Sequence, residues 1–245
     1  MTQVFIISAP SGSGKSTLVK EIKQLVDRLE FSVSYTTRQP RGSEEDGREY
    51  YYTSREVFER MINRGEFLEH ADVFGNYYGT AKKFLDDAIT RGFDLLLDID
   101  VQGAAQVRKA MPEAVSIFVL PPTPKELRTR LRNRSRAEGV VNDKEVYRRL
   151  SEARKEIENY REYVYILVND FLDKAVAQLE AIVLAERFYR NGEPIAYRSG
   201  RVLEVAAGCR IENSRERLKP VLEAFGIDGA SGQQQLPFGD DSDDD

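Results

Sequence analysis

The sequence predicts an α/β fold: a central parallel sheet flanked by helices, with an inserted mixed subdomain. Three observations carry this. Val4 to Ser8 reads as a continuous apolar strand, the pattern of a strand buried on both faces. Strands and helices then alternate along most of the chain, which requires crossovers and hence parallel pairing. From about Ser34 to Thr80 the alternation breaks into a polar, turn-rich stretch, the mark of an insert.

Taken in order, the strand at Val4 leads into a Gly/Ser-rich turn. Leu18, Ile22, Leu25, Val26 and Leu29 follow at helical spacing, and Phe31, Val33 and Tyr35 alternate as a second strand. In the insert, Thr53 with Glu56 reads as a capping box for a helix through Ile62 that stops near Gly65. Glu66 to Ala71 reads as a short strand, Gly75-Asn76 as a turn, and Thr80 to Arg91 as a helix ended by Gly92. The α/β pattern resumes with strands at Asp94–Ile99 and Ala114–Leu120. Thr123-Pro124 with Glu126 opens a helix that breaks around Ser135 to Asn142. A helix from Asp143 to about Tyr160, a strand at Tyr165–Val168 and a helix at Leu172–Tyr189 complete the core. The expected division is a core of residues 1–33 and 81–190, an insert at 34–80, and a weakly patterned extension at 191–227. That extension offers one helix, at Arg215 to Phe225, and residues 228–245 read as an acidic disordered tail.

Hydrophobic residues make up 41% and charged residues 31% of the 245, and no run approaches the ~20 apolar residues of a membrane helix. The opening MTQVFIISAPSG has no basic region and reads as a buried strand rather than a secretion signal. Cys209 is the one cysteine, which excludes an intrachain disulfide and fits a reducing cytoplasm. The net charge is −5, but residues 226–245 carry six aspartates and no Lys or Arg, so the remainder is nearly neutral. Nothing in that balance points to nucleic acid or a membrane surface as a partner.

The strongest chemical signal is Ala9-Pro10-Ser11-Gly12-Ser13-Gly14-Lys15-Ser16-Thr17, between a strand and an amphipathic helix. That is the context of a phosphate-binding loop, whose inward-turned amides and helix N-terminus surround phosphate oxygens. Lys15 is placed to reach the β- and γ-phosphates of a bound nucleotide, and the Ser16 hydroxyl to hold Mg²⁺. Ala9 stands where the first glycine of the pattern belongs, which is tolerable if its φ is negative.

Such a loop names a nucleotide and no reaction. The acceptor is written in the insert. Ser34, Arg38 and Arg41 around Pro40 form a compact set with the planar forks that match phosphate oxygens, and Tyr50 and Tyr78 add hydroxyls. The SxTTRxPR run, the GxxY step, GNYYG followed by Thr80, the LDIDxQG run at Leu97–Gly103 and the VND triplet at Val168–Asp170 occur in order. Over residues 2–190 the chain resembles the guanylate kinases of bacterial type.

That resemblance implies transfer of the γ-phosphoryl of MgATP to GMP, and to dGMP, giving ADP and GDP for purine nucleotide recycling and GTP supply. It assigns the GMP phosphate to Ser34, Arg38, Arg41, Tyr50 and Tyr78, and the guanine to Glu69, Thr80 and Asp100. Carboxylates are acceptors only, and guanine presents donors at N1 and N2 where adenine has no such pair. The resemblance further implies Asn169 at the adenine end of ATP, Asp98 near Mg²⁺ through a water, and a mobile lid at about 130–149 with Arg134 and Arg149 as lid arginines beside the catalytic Lys15. Arg130 is a weaker member of that group. His70 is read as structural. A chain of this kind is expected as a monomer or weak homo-oligomer with nucleotides as its partners. The competing readings are a kinase for another nucleoside monophosphate, a non-catalytic binding module and a plain hydrolase. Glu69 with Asp100, the intact Gly14-Lys15-Ser16, and the acceptor arginines oppose these in turn.

Overall fold

The computed structural model describes residues 2–137, 143–192 and 199–227. The first part runs β1 (Val4–Ser8), α1 (Lys15–Leu25), β2 (Leu29–Ser32), β3 (Tyr35–Thr36), β4 (Tyr51–Tyr52) and α2 (Arg55–Asn63). Then come β5 (Phe67–Val73), β6 (Asn76–Ala81), α3 (Lys82–Arg91), β7 (Asp94–Asp98), α4 (Val101–Ala110) and β8 (Val115–Leu120). The chain ends with α5 (Pro124–Ala137), α6 (Asp143–Ile157), β9 (Tyr165–Val168), α7 (Leu172–Asn191), α8 (Ser199–Cys209) and α9 (Arg215–Ala224).

The core sheet has the order β2-β7-β1-β8-β9 and every pairing in it is parallel. Alternation along β1 divides its side chains between two hydrophobic layers. Val4 and Ile6 join Leu127, Leu131, Val146 and Ile157 from α5 and α6, while Phe5 and Ile7 join Leu18 and Ile22 of α1 and Leu179 and Ile182 of α7. Each such side chain contributes about 1.5–3 kcal/mol on full burial. A second, mixed sheet of order β4-β3-β6-β5 packs Phe58 of α2 on Phe67. The predicted α/β class and the flanked parallel sheet are therefore what the chain forms. No described helix is long and apolar enough to cross a membrane.

Several elements differ from the sequence reading. Leu29 is the first residue of β2 rather than the end of α1, because the helix stops at Leu25 and Val26 is extended. The single strand predicted over Phe31–Tyr35 is two strands in two sheets, parted at Val33-Ser34, where the chain leaves the core. Ser54, not Thr53, caps α2, its Oγ accepting from the Val57 amide at 3.3 Å. Thr80 belongs to β6, a strand with no alternating pattern to announce it, so α3 starts only at Lys82. The helix α4 has no counterpart among the predicted elements. A 3₁₀ turn at 158–162 follows α6, which ends at Ile157. Residues 135–137 of the predicted break lie within α5; the rest of it, 138–142, and the acidic tail, 228–245, fall outside the described residues.

The extension holds α8 as well as α9. Ala206 and Cys209 of α8 sit in the α1/α7 layer, whereas Leu218 and Leu222 of α9 sit in the opposite layer. Between them Arg210 forms an antiparallel bridge with Tyr165, and the Ile211 amide donates to Val164 O at 2.9 Å. The extension thus passes round the outer edge of β9.

Candidate functional site

The phosphate-type loop lies at the carboxyl end of β1, between the ends of β7 and β8, where an open parallel sheet forms its crevice. Gly14 caps α1 with a φ of 89°, a left-handed conformation that disfavours any side chain. A Cβ there would also lie 2.3 Å from Asn169 Nδ2. Ala9 is not among the described residues with positive φ, so its methyl group fits. Asn169 turns its amide onto the loop and donates to Ser13 O at 2.7 Å, while Arg130 donates to Ser13 O at 3.3 Å and to Asn169 O at 3.0 Å. Both residues brace the loop and line the same cleft.

Lys15 reaches across to the end of β7. Its Nζ is 2.5 Å from Asp98 Oδ1 and donates to Ile99 O at 3.0 Å. Burial opposes the ammonium, but Asp98 outweighs it and holds the Lys15 pKa above its ordinary value.

Opposite the loop, the second sheet builds a polar pocket. Glu69 pairs with Thr80 in the β5–β6 ladder, next to a register shift between Phe67 and Glu69. Glu69 is 3% exposed and takes hydrogen bonds from Thr80, whose hydroxyl is also 3.3 Å from Ser34 Oγ. Burial pushes the Glu69 carboxyl up to about 7, against the Thr80 bonds and with the nearby Asp100 charge adding to it. Asp100 caps α4, its Oδ1 accepting from the Gly103 amide at 2.8 Å. Gly103 lets the two acids meet, since a Cβ at that position would lie 2.3 Å from Glu69 Oε2.

Arg38 is buried and forked onto Glu44 by two hydrogen bonds of 2.9 and 3.1 Å, and its Nε donates to the Tyr78 hydroxyl at 3.2 Å. Glu44 also accepts from the Arg41 amide and from the Tyr52 hydroxyl, each at 2.8 Å. Tyr50 and Tyr78 meet edge to face with ring centroids 5.6 Å apart.

These features share one continuous cleft of about 740 Å³, within the range of small-molecule sites. Its wall includes all of Ala9–Thr17, then Ser34, Arg41, Tyr50, Glu69, Tyr78, Asp98, Asp100 and Asn169, with Arg134 from α5 and Arg149 from α6. Arg38 and Thr80 are not on the wall; they stand behind it, bonded to Tyr78 and to Glu69.

Three residues on or near the cleft escaped the sequence reading. Glu44 looked like one more solvated acid in Glu44-Glu45-Asp46. Glu156 lines the cleft from α6, its carboxyl pushed up to about 7 by burial, with the Ser11 amide bonded to it. It stands two helical turns after Arg149, so the helix period could have found it. Phe74 lines the cleft from the β5–β6 turn, and nothing in the sequence marks it.

Among the described residues, no group of three or more His, Cys, Asp or Glu is placed to hold a metal ion alone. Beside the loop the cleft does offer the Ser16 hydroxyl and the Asp98 carboxylate. That donor set fits Mg²⁺, which keeps several waters and is bound through few protein oxygens together with substrate phosphates.

The model of the family described as guanylate kinase matches residues 1–186. A guanylate kinase from Koribacter versatilis (strain Ellin345) is 54% identical over 222 residues, which cover 91% of this chain and 95% of the relative. One from Nitrosospira multiformis is 49% identical over 184 residues, covering 75% and 86%. The crystal structure of guanylate kinase from Anaplasma phagocytophilum aligns with a TM-score of 0.62 at 34% identity, covering 76% of this chain and 86% of that one.

Proposed function

The chain belongs to the guanylate kinase family, ATP:GMP phosphotransferases, and from that membership we propose how its cleft carries the γ-phosphoryl of ATP to GMP. The observation that carries the reading is a single cleft with an amide-lined loop and Lys15 on one wall and the acids Glu69 and Asp100 on the other.

The donor phosphates sit in the Ala9–Thr17 loop, with Lys15 exchanging its bond to Asp98 for the β- and γ-phosphates. The adenine end lies toward Asn169 and Leu172. Ser16 and, through a water, Asp98 would hold Mg²⁺, which would supply positive charge to the phosphate oxygens when bound. The acceptor phosphate rests on Ser34, Arg41, Tyr50 and Tyr78, with Arg38 behind them under the control of Glu44. Guanine N1–H and its 2-amino group donate to Glu69 and Asp100, and Thr80 donates to O6.

The acceptor oxygen is already anionic, so the reaction needs alignment and charge neutralisation more than a strong base. Arg134 and Arg149 supply that neutralisation at the transferring group and help exclude water. Every group named comes from one chain, so a monomer suffices, and the reaction belongs to the cytoplasm, where both nucleotides are found. Residues 34–80 act as the GMP-binding insert. The test is ADP release from MgATP with GMP, AMP, CMP and UMP in parallel. GMP is expected to be the preferred acceptor by orders of magnitude, because a site built for specific donors rejects analogues that lack them. Comparable rates with AMP would overturn the acid-pair assignment.

A further inference from the structure

Phe74 occupies the tip of the β5–β6 hairpin with a φ of 55°, a left-handed conformation unusual for a bulky side chain. Half of its surface is exposed, yet it lines the cleft. Its ring is covered by the Arg148 guanidinium of α6, 3.9 Å from the ring centroid, well inside cation–π range. Arg148 is not an idle surface charge. Glu145 holds it by two hydrogen bonds of 2.9 and 2.7 Å, and the same Glu145 Oε1 accepts from Arg149 Nε at 2.9 Å. Burial works against the Glu145 charge, but the bond to Arg148, first, and that to Arg149 hold its carboxyl down to about 2. A chain of contacts therefore runs from the hairpin tip through Arg148 and Glu145 to Arg149. The hairpin is the same element that carries Glu69, Tyr78 and Thr80.

We propose that Phe74 is a positioning residue: the hairpin tip docks on α6 through Arg148, fixes Glu145, and so aims Arg149 into the cleft. The acceptor side of the site is thereby linked to an arginine of the transfer step. This rests on the assignment of Arg149 to the transferring phosphoryl group.

The test uses the full chain with MgATP and GMP. Phe74→Ala is expected to lower kcat about 10- to 100-fold, the cost of a catalytic group misplaced by an ångström or so, with the ATP KM unchanged. The melting temperature should not move, because the ring is exposed and outside the core. Phe74→Tyr, which keeps the ring, is expected to recover most of kcat. Arg148→Ala should show the same loss, and the double variant Phe74→Ala/Arg148→Ala should be no worse than either alone, as for partners in one interaction. Losses that multiply in the double variant, or wild-type kcat in Phe74→Ala, refute the link. Arg149→Ala separates the two claims. If it is inactive while Phe74→Ala is normal, only the positioning role falls; if it turns over normally, the assignment of Arg149 falls and the link with it.

Discussion

Lys15 and Glu69 each carry a charge that the cleft shifts from its ordinary range. With its Nζ on Asp98 and Ile99 O, Lys15 is held at the end of β7, on the wall of the cleft. Lys15→Ala is expected to lower kcat about 10²–10³-fold, the scale of losing one preorganised donor to a developing charge. GMP affinity, measured by equilibrium titration, should stay near the wild-type value. Glu69 works in the opposite sense. A carboxyl raised from 4.5 to about 7 binds a proton in the folded protein that the unfolded chain has released. Its contribution to stability is therefore full below about pH 4.5 and is lost as pH rises through about 7. Guanine needs an acceptor there, so GMP binding at about pH 6.5 should expel that proton. Calorimetry in two buffers of different ionisation enthalpy reads the release, and Glu69→Gln should remove its share. The same variant should raise the GMP KM by roughly 10- to 100-fold, the worth of a hydrogen bond to a charged group, and leave the ATP KM alone.

At the scale of elements, α4 joins the core to the insert. Its N-cap is Asp100, and Gln106 further along the same helix bonds both the amide and the carbonyl of His70 on β5, at 3.2 and 2.7 Å. His70 is thus structural through its backbone. Gly103 lies between the two acids, so Gly103→Ala should push Glu69 aside and raise the GMP KM about tenfold or more. Unchanged kinetics in that variant would mean that Glu69 does not need its observed position. The elements also show what a sequence can disclose. The opening strand, its glycine loop and α1 are legible because their signals are local: an apolar run, a turn composition and a helical period. The split of Phe31–Tyr35 between two sheets is not, since each half alternates alike and only tertiary pairing decides the partner. The helix α4 was hidden because its start is also a nucleotide motif.

For the whole molecule, the loop and acceptor residues were legible because each motif is contiguous. Glu44 behind Arg38, Glu156 beside Ser11 and Phe74 under Arg148 were not, because their meaning lies in contacts between distant segments. The same holds at the opposite end of the sheet. Arg187 of α7 and Asp94 of β7 form an ion pair at 2.7 Å with both side chains buried, and Asp94 also accepts from the Gln3 amide at 2.8 Å. Arg187→Ala leaves a buried carboxylate without its cation and should cost about 3–5 kcal/mol, read as a drop in the urea midpoint.

The strand most open to a stray neighbour is the outermost one, and here the chain's own last third takes that seat. Arg210 bridges Tyr165 and the Ile211 amide bonds the Val164 carbonyl, so the start of the β9 edge is already paired. A stray strand arriving at that end of the sheet would meet backbone groups already paired with the chain's own.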